Sequence, residues 1–148
     1  MPPTDPKEIA VHLSRHGLRC TRQRVALYEA LACDASHPTA ERLHECVRDE
    51  HTGVSMATVY NTLEVFCRHG LARKLSSPST GGAGAGAARF DADVSNHVHV
   101  RDADGAVHDL SDDVSQHLLD RLPANTIARI ERDMGVTIDQ VHIELIAK

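Results

Sequence analysis

The segment VSMATVYNTLEVFCRHG, residues 54–70, constrains the fold of this chain more than any other. Ser55 is a good N-cap, because its hydroxyl can accept from the orphan amides of a first turn, and Val54 with Val59 fits a hydrophobic staple across that cap. Val59, Leu63 and Phe66 recur at the helical interval, and Gly70 fits the stop. A helix over about 55–69 is therefore predicted. Thr58, Asn61, Thr62 and Val65 fall on its other side and leave a small, polar, uncharged face, which can enter a DNA groove without self-repulsion.

Three shorter helical patterns precede it. Residues 6–16 begin at Pro6, carry Ile9, Ala10 and Leu13, and end at Gly17. Residues 21–33 begin at Thr21 as N-cap, with Val25, Leu27, Tyr28 and Leu31 as the buried stripe. Residues 38–50 begin with Pro38 at the first helical position, and Leu43 and Val47 repeat along them. After Gly70, ARKLSS and ARFDAD read as short strands on either side of TGGAGAGAA, residues 80–88. A Gly/Ala tract cannot pack a core, so it is predicted as a long hairpin loop. Helices followed by a hairpin make the order of a winged helix-turn-helix domain, with the recognition helix at about 55–69 and the wing at about 71–92. Arg15, Arg19, Arg22, Arg24, Arg73 and Lys74 are placed to hold phosphates, although any one of them taken alone reads more readily as a solvated surface charge. Residues 1–90 carry eleven Lys and Arg against nine Asp and Glu, whereas residues 91–148 carry five against twelve. That asymmetry suggests a two-part chain whose first part approaches a polyanion.

The second part is predicted as a small α/β unit, so the whole chain is α+β, divided at 1–92 and 93–148. HVHVR and AVHDL read as a hairpin, DDVSQHLLDRL and IARIERDM as helices, and VTIDQVHIELIAK as a strand with Val141, Ile143 and Leu145 alternating. A terminal strand with an open face suggests a homodimer. His97 and His99, two apart on a strand, share a face and can share a metal. A three-residue loop, Ala103-Asp104-Gly105 with Gly105 left-handed, pairs His99 with Asp109 and puts His108 on the opposite face, whereas a two-residue Asp104-Gly105 turn reverses this. Imidazole and carboxylate without sulfur suit iron, manganese, zinc or nickel. Alternating histidines on a solvated strand are the plain alternative. Histidine is the unusual residue, eleven in 148; the four cysteines, at 20, 33, 46 and 67, form no CxxC pair and read as small buried hydrophobes. Hydrophobic residues make up 41% but aromatics only 3%, so the core is expected to be aliphatic. With no apolar run long enough for a bilayer and no apolar leader after Met1, the chain is expected to be cytoplasmic.

Several segments together resemble the ferric uptake regulator (Fur) superfamily of metal-dependent repressors. They are GLRCTRQRVALYEAL, SHPTAERLHE, VSMATVYNTLEVFCRHGLARKL, ARFDADVSNHVHVRDADGAVHDL and VTIDQVHIELIA, of which HPTAE and ATVYNTL are the most specific. The resemblance implies a regulatory metal between two domains, held by His37, Asp91, His97, His99 and Asp109. The reading that goes with it is DNA contact by Tyr60 and Asn61, with Ser55 and Thr58 nearby and Arg15, Arg19 and Arg24 holding phosphates; Ser55 as a cap alone and Tyr60 as part of the core are the alternatives. Asp at 91 and 109, and Asn61, resemble the family's peroxide-sensing branch, PerR, in which bound ferrous iron leads to oxidation of a ligand histidine; here the targets would be His37 or His97. The family's two CxxC pairs are missing, the first from RDADG and the second beyond IAK, so no structural zinc held by four cysteines is expected. A further family site is incomplete, with Asn96, Val98, Gln116 and Val141 at its positions.

The expected function is a homodimeric repressor that binds an operator in double-stranded DNA. It would need one divalent metal per subunit, Fe2+ or Mn2+ first and Zn2+ next, and would respond to peroxide. An iron, manganese or zinc uptake regulator is the alternative within the family. A metalloenzyme using the His/Asp cluster and a metal-free DNA-binding module are the alternatives outside it.

Overall fold

A computed structural model describes residues 1–51, 53–75, 87–138 and 141–147. The chain forms two compact units, Met1–Val94 and Ser95–Lys148. The first holds α1 (Pro6–Arg15), α2 (Arg22–Cys33), α3 (Ala40–Val47), α4 (Met56–Arg68), β1 (Arg73–Leu75) and β2 (Arg89–Asp91). This is the winged helix-turn-helix order.

Local chemistry starts and stops each helix. The Asp5 side chain caps α1 by accepting from the amides of Lys7 and Glu8, with Pro6 inside the first turn. Thr21 caps α2 through the Arg24 amide, and Ser55 caps α4 through the Thr58 amide. Gly17 and Gly70 leave α1 and α4 at φ +74° and +68°, left-handed values that a Cβ disfavours. Ile9, Leu13, Leu27, Tyr28, Leu43, Val59, Leu63 and Phe66 are buried to within 1% and make one core with Leu71, Phe90 and Ala92 from the wing. Each contributes roughly 1.5–3 kcal/mol on burial. The scarce aromatics are concentrated here: Tyr28 meets Phe66 edge-to-face, with centroids 5.4 Å apart.

Three expectations are corrected. Cys20, Cys33 and Cys46 are exposed and Cys67 is half-buried, so the cysteines are not the small buried hydrophobes expected. Pro38 does not open α3. Its carbonyl accepts from the Phe90 amide at 3.1 Å, and Thr39 bridges to Arg89, so residues 38–39 run extended beside β2. Thr39 is the N-cap instead, accepting from the Arg42 amide, and the helix ends at Val47 rather than 50. The uncharged outward face of α4 is also revised. Thr62 is buried and Val65 packs against the core, so the buried stripe is wider than the 59-63-66 repeat alone. The outward face carries Tyr60, Asn61 and an ion pair between Glu64 and Arg68 at 3.9 Å.

In the wing, β1 and β2 pair antiparallel with Arg73 opposite Asp91 and Leu75 opposite Arg89. Ser76 and Ser77 of the first predicted strand, and the Gly/Ala tract except Ala87 and Ala88, lie outside the described residues.

The second unit holds β3 (Val98–Arg101), β4 (Val107–Asp109), α5 (Asp112–Leu119), α6 (Ala124–Met134) and β5 (Ile143–Ile146), with sheet order β4-β3-β5. β5 runs parallel to β3, with His99 opposite Glu144. Gly135 ends α6 at φ +66°. Asp139, Gln140 and Lys148 of the predicted terminal strand are outside the described residues. Among the described residues, Val98 and Val107 are the fully buried large apolar side chains of this unit, while Val114, Met134, Val136 and Ile146 are exposed and α6 has no buried residue. No described helix is long and apolar enough to cross a membrane.

Candidate metal centre

The hairpin adopts the three-residue connection. Asp102 donates its amide to the Ala106 carbonyl at 2.9 Å, Gly105 is left-handed at φ +83°, and His99 stands opposite Asp109. His108 therefore points to the other face, where it lies 3.2 Å from the Asp102 carboxylate. His97 precedes β3 rather than lying within it, yet its imidazole still converges on that of His99.

The convergence is close. The two Nε2 atoms are 2.9 Å apart, and Asp109 Oδ1 lies 3.3 Å from that of His97 and 3.2 Å from that of His99. Donors at right angles around a cation bound at about 2.1 Å are separated by about 3.0 Å. The three atoms are thus spaced as one face of a coordination octahedron, the two-His, one-carboxylate arrangement of divalent transition metals. His97 Nδ1 lies 3.0 Å from the Ser95 carbonyl. Donation there leaves Nε2 as the lone-pair atom, the tautomer that a metal ligand needs. Both histidines are buried, at 6% and 3% exposure, so a cation would exchange little water at that side.

Ser115 supports the hairpin and was not singled out in the sequence. Its hydroxyl, 1% exposed, accepts from the Val98 amide at 3.1 Å and donates to the Leu110 carbonyl at 3.3 Å, tying both ligand strands to α5. A polar residue inside the inward stripe of α5 was the available signal.

The first unit brings together the other two expected ligands. His37 and Asp91 are buried, with Nδ1 3.8 Å from Oδ1. His37 has φ +52°, the one positive value among described non-glycine residues. Such strain persists where surrounding contacts overdetermine the backbone, and it is concentrated at functional sites. The contacts are visible: Arg89 donates to the carbonyls of Ser36 and His37 at 3.2 and 3.0 Å. Asp91 Oδ1 accepts from the Asp93 amide at 2.7 Å, which orients the carboxylate. Nearby, burial and then the charges of Asp93 and Asp91 push the Tyr28 phenol up to about 12.

The candidate DNA-contacting residues all belong to the first unit. Arg15 and Arg19 are exposed, and Arg24 is half-buried and donates to the Arg19 carbonyl at 2.9 Å. Tyr60 and Asn61 are exposed on α4. Ser55 and Thr58 spend polar atoms on the cap itself, with Ser55 Oγ accepting from the Thr58 amide at 3.2 Å and lying 3.0 Å from its hydroxyl.

A winged helix-turn-helix unit joined to a small α/β unit with a sulfur-free His/Asp cluster defines a class, the metal-sensing DNA-binding regulators. The ferric uptake regulator family model matches residues 15–145, and the chain belongs to that family. The peroxide operon regulator of Bacillus subtilis is 37% identical over 93 residues, 63% of this chain and 60% of that protein. The peroxide-responsive repressor PerR of Staphylococcus epidermidis is 33% identical over 94 residues, 64% of this chain and 59% of that protein. The chain thus matches less than two thirds of these relatives' length. In fold it is similar to the Vibrio cholerae ferric uptake regulator, with a TM-score of 0.63 at 24% identity over 95% of this chain and 98% of that one. The family is one of regulators, which agrees with the expectation of a regulator and counts against the metalloenzyme alternative.

Proposed function

We propose that the chain is a homodimeric, metal-dependent transcriptional repressor in which one divalent cation per subunit is bound by His37, Asp91, His97, His99 and Asp109. The observation that carries this reading is the facial spacing of His97, His99 and Asp109. His37 and Asp91 supply the same hard and borderline donor types from residues 1–92, read as the DNA-binding domain; residues 93–148 are read as the dimerisation and sensing domain. A cation held by all five favours those arrangements of the two domains in which every donor reaches it. Metal then shifts the population toward the DNA-competent dimer. Ser55, Thr58, Tyr60 and Asn61 face the operator, and Arg15, Arg19 and Arg24 add a salt-dependent attraction to phosphate.

The donor set contains no sulfur and suits Fe2+ or Mn2+, with Zn2+ also accommodated. The similarity to peroxide-responsive repressors and the aspartates at 91 and 109 favour peroxide control. Were Fe2+ held by these residues, it would supply the electron that peroxide takes up, and His37 or His97 would be the side chain to gain an oxygen atom, with water as the other product. The exposed apolar residues of α6 and β5 support the dimer, because a unit with so small an interior gains stability by covering them.

A gel-shift series tests the reading. Operator binding is expected with Mn2+ or Fe2+ and lost in chelator; equal binding in chelator overturns it. Peroxide is expected to abolish binding of the Fe2+ form alone, with one oxygen added to a peptide containing His37 or His97. Survival of the Fe2+ form with no oxygen added assigns the chain to metal-uptake control instead.

A further inference from the structure

We propose that Glu41 is a positioning residue for DNA sequence readout: its carboxylate holds the Tyr60 hydroxyl and so presents the Tyr60 ring to the groove as an apolar surface rather than as a hydrogen-bond donor. The inference rests on the DNA-binding reading of α4.

Tyr60 is 45% exposed on the outward face of α4, a large ring outside the core. Its hydroxyl donates to Glu41 Oε1 at 2.6 Å, within the short range of charge-assisted O–H···O bonds. Glu41 stands in the first turn of α3, where the helix N-terminus favours a carboxylate. Its carboxyl is held below the usual range by the Tyr60 bond first, then by its own backbone amide and the Thr39 hydroxyl. The same bond raises the Tyr60 phenol. At neutral pH the donor is therefore the phenol and the acceptor a carboxylate.

An exposed bond of this kind adds little to folding stability and costs rotamer freedom in both side chains. What it achieves is orientation. A tyrosine has two side-chain torsions, and tethering its far end restrains both before DNA arrives, so that cost is not incurred at the interface. The bond joins HPTAE to ATVYN, the two most distinctive segments of the sequence, across two helices. A hydroxyl committed to a carboxylate is not donated to a phosphate, so Tyr60 adds nothing to the sequence-independent attraction.

The test uses duplexes selected from a random library by the Mn2+-loaded full chain, with a shuffled duplex as the non-specific probe. Glu41→Ala and Tyr60→Phe are each expected to weaken binding to the selected duplex, by up to roughly tenfold for one unrestrained side chain. Neither should weaken binding to the shuffled duplex, and the double variant should lose no more than either single one. Glu41→Gln retains an acceptor oxygen and should restore selective binding. A loss in Tyr60→Phe with none in Glu41→Ala overturns the proposal, since the hydroxyl would then meet DNA directly. Additive losses, equal losses on both duplexes, or no loss in either variant also overturn it. Absorbance titration of the two tyrosines without DNA checks the bond independently: Glu41→Ala should lower one midpoint, and an unchanged curve overturns the pairing. A wild-type chain that selects no sequence overturns the DNA-binding reading itself, whatever the titration shows.

Discussion

His99 and His108 are the same side chain on adjacent strands of one hairpin, and their surroundings separate them. His99 is buried with its Nε2 3.2 Å from Asp109, whereas His108 is exposed and lies beside Asp102. His99→Ala removes a direct ligand and should lower Mn2+ affinity by at least about 100-fold, the upper end of what losing an outer-shell partner costs, and His108→Ala should leave it within about threefold. Titration calorimetry separates the two; comparable losses would remove the registry argument for the site. His37 belongs at this scale too. Its left-handed backbone is visible only in three dimensions, because Arg89, far along the chain, holds the loop by its carbonyls.

Among the elements, the hairpin's place was legible from sequence and its registry was narrowed to two. The structure adopts the three-residue loop with Gly105 in third place, and that pairing decides which side chains share a face. What holds the hairpin was less legible, because Ser115 acts from α5, several residues beyond the strands it ties together. Ser115→Ala leaves the buried Val98 amide without its hydroxyl partner, at a cost of about 1–3 kcal/mol. The expected result is a lower thermal midpoint and a smaller loss of metal affinity than in His99→Ala. A variant with wild-type stability would show that the bond is dispensable. Helix α4 was half legible. Its cap, stop and main stripe follow from spacing, while the inward turn of Thr62 and the outward pair Glu64–Arg68 follow from how α4 packs on the core.

At the scale of the whole molecule, the two units differ in how much they bury. The first has a continuous core from α1 to the wing, while the second leaves Met134 and Ile146 mostly exposed and Val136 and Leu145 nearly half exposed. If dimerisation covers β5, Ile146→Asp should move the sedimentation profile from dimer toward monomer and weaken operator binding with it, because two half-sites are then no longer linked. A variant that remains dimeric at micromolar concentration would place the interface elsewhere.

The amino-acid sequence alone determined the order of elements and the helix caps at Thr21 and Ser55, and it reduced the hairpin to two registries, of which the structure adopts the one that sets His99 opposite Asp109. These depend on neighbours a few residues apart, and their physics is local. Tertiary structure alone decided that Thr39 rather than Pro38 begins α3, that Thr62 turns inward, that Glu41 takes the Tyr60 hydroxyl, and that Arg89 and Ser115 brace the candidate ligands. Each of those outcomes depends on a partner brought near by packing, and spacing along the chain carries no record of which distant surface will be opposite.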